Sequence, residues 1–117
     1  MLEFKELEKL SIVASETANG VFITNAEGEV EWFNEGFSKL FGYYSIKEYQ
    51  EKRGTHILEV SGNKRIKELI SEAVQKRTSV EYENSNPDAN GNLLLIKKAV
   101  KPIFDKEGNV MDIAYGS

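Results

Sequence analysis

The stretch from Gly20 to Tyr43, GVFITNAEGEVEWFNEGFSKLFGY, constrains the fold of this chain more than any other. Val21, Phe22 and Ile23 form one apolar run, and Val30, Trp32 and Phe33 form the next. Between them, Asn25-Ala26-Glu27-Gly28 supplies residue types that accept the backbone angles of a tight turn, so the pattern predicts a β-hairpin. Asn34 follows where a helix should begin, and its amide oxygen can accept from a free N–H of the first turn. Phe37, Leu40 and Phe41 then share one helical face, which Gly42-Tyr43 closes. A hairpin that runs straight into a short amphipathic helix points to a mixed fold of sheet and helix.

At 117 residues there is room for one domain and one core. Apolar residues make up 40% of the chain and charged residues 29%, a balance that argues against wholesale disorder. A formal net charge of −4 leaves no positive field to hold a phosphate backbone, which argues against nucleic acid as a partner. Adjacent basic pairs such as Lys52-Arg53, Lys64-Arg65 and Lys97-Lys98 read as solvated faces. Cysteine is absent, so disulfides, thiolate metal sites and cysteinyl-flavin photochemistry have no sulfur to use. No stretch approaches the ~20 apolar residues of a membrane span, and Met1 to Glu6 is too charged for a signal peptide. A cytoplasmic module that does not insert into membranes is the expectation.

Phe4, Leu7, Ser11, Ala14 and Ala18 recur at spacings of three and four, with Leu10 and Val13 widening the stripe. This predicts an amphipathic helix over residues 3 to 18, ended by Asn19-Gly20. Its narrow face could pack on the chain's own sheet or against a second copy. In a dimer, Phe4, Leu7, Leu10 and Ala14 are the contact candidates. Ser45-Ile46-Lys47-Glu48 has the spacing of a capping box and predicts a helix of one or two turns. Residues 50 to 61 carry mixed signals and read as irregular chain with one buried turn. Ile66, Leu69, Ile70, Ala73 and Val74 predict a longer helix from about Asn63 to Lys76.

Beyond Ser79 the period changes. Val80 and Tyr82 alternate with Glu81 and Glu83, as in a half-exposed strand. Asn84 to Asn92 reads as a turn-rich loop, Leu93 to Val100 as a second strand that ends near Pro102, and Asp105 to Gly108 as a tight turn before a last strand over Val110 to Tyr115.

Few residues offer chemistry. His56 is the only histidine, and no cysteine or second histidine stands beside it, so no metal site is expected and His56 reads as a structural or surface residue. Neither a nucleophile elbow nor a phosphate-cradling glycine loop occurs. Phe22, Trp32, Phe33, Phe37, Phe41, Tyr82 and Tyr115 could share one interior surface, either as core packing or as the wall of a ring-stacking site. A twisted sheet crossed by short helices leaves central space, and Asn34, Thr55, His56, Tyr82 and Tyr115 are the polar groups that could face it.

Three segments resemble the PAS sensory-domain family over about residues 8 to 117. Asn25-Ala26-Glu27-Gly28-Glu29-Val30, then Asn34 and Phe37-x-x-Leu40-x-Gly42-Tyr43, look like that family's Asp-x-x-Gly-x-Ile hairpin and the helix after it. Gly54 to Glu59 is similar to the loop before its long helix. Val100 to Val110, with Pro102-Ile103 and Asp105-x-x-Gly108, resembles its closing hairpin. The resemblance implies an α+β fold: a five-stranded antiparallel sheet in the order 2-1-5-4-3, short helices and one longer helix on one face, and a flanking helix over residues 1–19 before a PAS-like domain over 20–117.

It also implies a sensory, non-catalytic module of a sensor histidine kinase or similar two-component signalling protein. Such a module binds a small apolar or aromatic ligand, or rearranges a homodimer through the N-terminal helix, and so controls an attached output domain. Ligand-pocket candidates are Ile23, Asn34, Phe37, Phe41, His56, Ile57, Leu69, Tyr82, Leu95 and Tyr115. No cofactor is expected: the missing cysteine disfavours cysteinyl-flavin, and the place of His56 before the long helix disfavours haem, while a non-covalent flavin stays open. Two alternatives stand beside this reading, a purely structural dimerisation module and a small-molecule-binding protein or weak enzyme using His56.

Overall fold

The computed structural model describes residues 20–116, so the predicted helix over 3 to 18 and its candidates Phe4, Leu7, Leu10 and Ala14 lie outside the described residues. The elements are β1 (Val21–Asn25), β2 (Val30–Phe33), α1 (Glu35–Phe41), α2 (Ile46–Arg53), α3 (Ile57–Val60), α4 (Ile66–Lys76), β3 (Val80–Pro87), β4 (Leu93–Phe104) and β5 (Val110–Gly116). The strands form one antiparallel sheet in the expected order β2-β1-β5-β4-β3.

Strand alternation sorts the apolar residues onto two faces. Phe22, Val100, Ile113 and Tyr115 face the four helices and join Phe37, Phe41, Tyr49, Ile57, Ile66 and Ala73 in the main core. Val21, Ile23, Ile103 and Ala114 form a second cluster, with Trp32 and Met111 at its edge. Trp32 thus leaves the interior surface on which the sequence reading grouped it, because its neighbour Phe33 takes the inward position on β2.

The three hairpin turns share one device. In each, an Asn or Asp oxygen accepts from backbone N–H groups two and four residues on, and a glycine at the fourth position takes positive φ. Asn25 Oδ1 accepts from Glu27 N at 3.1 Å and Glu29 N at 2.9 Å, with Gly28 at φ 90°. Asp88 and Asp105 repeat the pattern with Gly91 and Gly108, each at φ 86°.

The helix starts are equally local. Asn34 Oδ1 accepts from Phe37 N at 2.9 Å and also from Val21 N at 2.9 Å, so the cap of α1 is tied to β1 as well. Ser45 Oγ accepts from Glu48 N at 3.0 Å, but the Glu48 carboxylate reaches one residue further than a reciprocal box requires, to Tyr44 N at 2.9 Å. Residues 50 to 61 are more regular than their composition predicts. α2 continues through Arg53, and a reciprocal capping box at His56 and Glu59 starts the single turn of α3.

Two further expectations are corrected. β3 runs on through Asn84, Ser85, Asn86 and Pro87, where the sequence predicts loop. Asn84 accepts from Gly62 N at 3.0 Å and donates to Asn86, and Asn86 donates to the Val60 carbonyl at 2.8 Å, so contacts to the α3–α4 connection override the loop-like composition. Gly62 lies so close to β3 that a Cβ there would overlap the Ser85 carbonyl oxygen. β4 passes through Pro102 to Phe104. β3 pairs with it only as far as Val100, so at Pro102 the strand has a neighbour on one side only and tolerates the missing donor.

Candidate functional site

Lys98 is the group on which the site is built. It sits opposite Tyr82 in the β3–β4 register and two residues before the inward-facing Val100, so its side chain enters the main core and is only 3% exposed. The sequence reading of Lys97-Lys98 as a solvated pair holds for Lys97, which meets Glu81 at 3.0 Å on the outer face, and fails for Lys98. The Lys98 ammonium stands 5.0 Å from the ring centroid of Phe22, 5.4 Å from that of Phe41 and 5.8 Å from that of Phe37. These rings give it cation–π contact. No carboxylate among the described residues comes within ion-pair distance of it. Desolvation therefore dominates, and the ammonium pKa falls to about 8.

The aromatic wall is continuous. Phe22 stacks on Tyr115 at 4.7 Å, Phe37 meets Phe41 at 4.7 Å, and Tyr49 stands edge-on to Phe37 at 5.5 Å and to Tyr43 at 5.2 Å. Burial raises the hydroxyl pKa of Tyr49, Tyr82 and Tyr115 above the ordinary tyrosine range, so all three stay neutral.

Between wall and loop lies a cleft lined by Phe22, Phe37, Phe41, Tyr43, Tyr49, Arg53, Asn86, Pro87 and Lys98, with about 10 Å³ of free space. That is room for one water. Arg53 closes one side: its Nε donates to the Tyr43 hydroxyl, and an Nη donates to the Asp88 carbonyl at 2.8 Å. The Asp88–Asn92 turn is also held to α1, through Ala89 N to the Phe41 carbonyl at 2.7 Å. Helix α2, the end of α1 and the β3–β4 turn therefore meet at the mouth.

Of the ten pocket candidates, Phe37 and Phe41 line this cleft. Ile57, Leu69, Tyr82 and Tyr115 pack elsewhere in the same core. Ile23 belongs to the cluster on the other face, and Leu95 is 73% exposed because it alternates outward from Leu94 and Ile96. Asn34 is spent on capping. His56 is too: its Nδ1 accepts from Leu58 N at 3.1 Å, so Nε2 carries the proton and donates to the Glu27 carbonyl at 2.8 Å. Glu59, the carboxylate nearest in sequence, binds the His56 and Thr55 N–H groups at 3.0 and 3.2 Å. The sequence reading missed Lys98 and Arg53 because both stand in charged pairs. Period two puts Lys98 on the face of Val100, but only the pairing with β3 shows that this face is the inner one.

A family model described as "PAS domain" matches residues 18–115. The chain belongs to the PAS domain family. Solved structures agree on the fold. The PAS domain of a protein from Colwellia psychrerythraea is 15% identical, with TM-score 0.71 and coverage of 95% of this chain and 94% of that one. A PAS domain from the fruit-fly ELK potassium channel is 16% identical, with TM-score 0.68 and coverage of 98% and 95%. One from a two-component sensor histidine kinase is 8% identical, with TM-score 0.62 and coverage of 95% and 93%. No curated protein matches the sequence significantly. In this PAS domain no described helix is long and apolar enough to cross a membrane, and no group of three His, Asp or Glu among the described residues is placed to hold a metal ion.

Proposed function

We propose that this PAS domain is a cytoplasmic sensory module whose cleft beside Lys98 takes a small ligand and relays its presence to an attached output domain, of the histidine-kinase type. The observation that carries this reading is the meeting of three elements at one cleft. Arg53 ties α2 to Tyr43 and to the Asp88 turn, so a molecule that competes for its N–H groups alters how α2 and the β3–β4 turn sit on the sheet. The chemistry is binding, with no catalytic residue assigned. A free volume of about 10 Å³ argues against a resident flavin or haem, whose rings would have to displace much of the aromatic wall.

That same tight volume supports a second reading, a filled-core module that signals through rearrangement of a homodimer, with Phe4, Leu7, Leu10 and Ala14 as its contact residues. Native mass spectrometry of the purified domain, with its near-ultraviolet and blue absorption spectrum, separates the two. A retained, colourless small molecule supports ligand sensing. A clean apo mass in a protein that self-associates, with association lost in Leu7→Glu, supports the dimer module.

A further inference from the structure

Lys98 is an expensive residue to place where it is. A buried ammonium ordinarily has a carboxylate beside it or gives way to an apolar side chain of similar length. Here the described residues provide three rings and no anion. A second cation, Arg53, lines the same cleft, and two of its five N–H donors are engaged by Tyr43 and Asp88. Two positive groups thus line a water-sized space whose other walls are five aromatic rings with Asn86 and Pro87, and none of the residues that line it is an anion.

Taking the ligand-sensing reading as its basis, we infer that the cleft is a carboxylate site. A small organic acid enters head-first, with its carboxylate received by Lys98 Nζ and the open face of Arg53, and its apolar body against Phe41 and Tyr43. The cleft's free space of about 10 Å³ takes one carboxylate oxygen, so the second oxygen and the apolar body extend towards the mouth and the lining residues yield to admit them. A charge-assisted pair in this desolvated setting is stronger than one at the surface. The neutral amide of the same acid has the same shape and would bring no charge to the two cations, so it should be rejected.

The test is calorimetric titration of the whole chain with acetate, hexanoate and phenylacetate, each beside its amide, with Lys98→Met and Arg53→Gln as variants. At least one acid is expected to bind, its amide to bind about tenfold or more weakly, and both variants to weaken the acid by about tenfold or more. Met suits the aromatic cage, so Lys98→Met should fold. Should it not, the contrast of acid with amide in the unaltered chain and the Arg53→Gln variant still decide. Equal binding of acid and amide, indifference to both variants, or no acid binding up to about 10 mM overturns the carboxylate site. If native mass spectrometry then finds a neutral molecule retained, ligand sensing survives the loss of this assignment; if it finds none, both fall.

Discussion

Two corners of this PAS domain hold the side chains with the most obvious chemical potential, and they treat them in opposite ways. At the α3 corner, the backbone N–H and both ring nitrogens of His56 have partners within the fold, and Gly28 leaves the space that its ring fills. At the cleft, Lys98 carries a charge into the core and meets rings and a water-sized space. A polar group whose every atom is answered is part of the scaffold. A buried charge with no opposite charge beside it is costly to the fold, and that cost is the mark of a site that awaits something else. Rarity in the sequence pointed to His56; partner accounting points to Lys98.

The sharpest way to break the contrast is to disturb the scaffold side. Gly62 abuts the Ser85 carbonyl, and Asn84 accepts its N–H, so Gly62→Ala should cost about 3 kcal/mol or more and fail to give a cooperative unfolding transition. A wild-type melting curve for that variant would mean that the α3–α4 connection is not pressed onto β3.

Lys98→Met should act in the opposite direction and stabilise the domain. The Lys98 ammonium has a pKa of about 8 in the fold against an ordinary 10.5, so between those values the unfolded chain binds more protons than the folded one. Stability of the unaltered chain therefore rises relative to the variant as pH climbs through that window, and the full penalty, about 3 kcal/mol, is present below it. Tyr43, Tyr49 and Arg53 also line the cleft, and burial holds the Tyr49 hydroxyl neutral; groups common to both proteins cancel in their difference, which therefore reports Lys98. Chemical denaturation at neutral pH and near pH 10.5 checks both the sign and the closing of the gap. A destabilised variant at neutral pH would show that the rings outweigh desolvation.

His56→Ala should have the smallest effect, about 1 kcal/mol, as the loss of one N-cap does elsewhere. Circular dichroism melts would measure it, with the prediction that any ligand bound at the cleft keeps its affinity. A large loss of affinity would return His56 to the site.

Much of this fold is legible in the sequence because its instructions are local. Asn25 with Gly28, Asp105 with Gly108, the Asn34 cap and the Ser45 cap each act within a few residues, and period two or 3.6 marks the elements between them. The readings that failed depend on partners distant in the chain. Asn84 and Asn86 look like loop residues until the α3–α4 connection supplies groups for their amides, and Leu95 looks like core until the alternation of β4 is fixed by its neighbours. Lys98 was the hardest to place. In the unbroken run from Leu93 to Val100, neither face is marked by polarity, and the register with Tyr82 decides which lysine goes inside.

The burial of that one ammonium is the point on which the account turns, and it can be observed directly. A pH titration of the Lys98 side-chain resonances by NMR, with Lys98→Met to assign them, should give a midpoint of about 8. A midpoint at the ordinary 10.5 would put the ammonium in water and contradict the cleft.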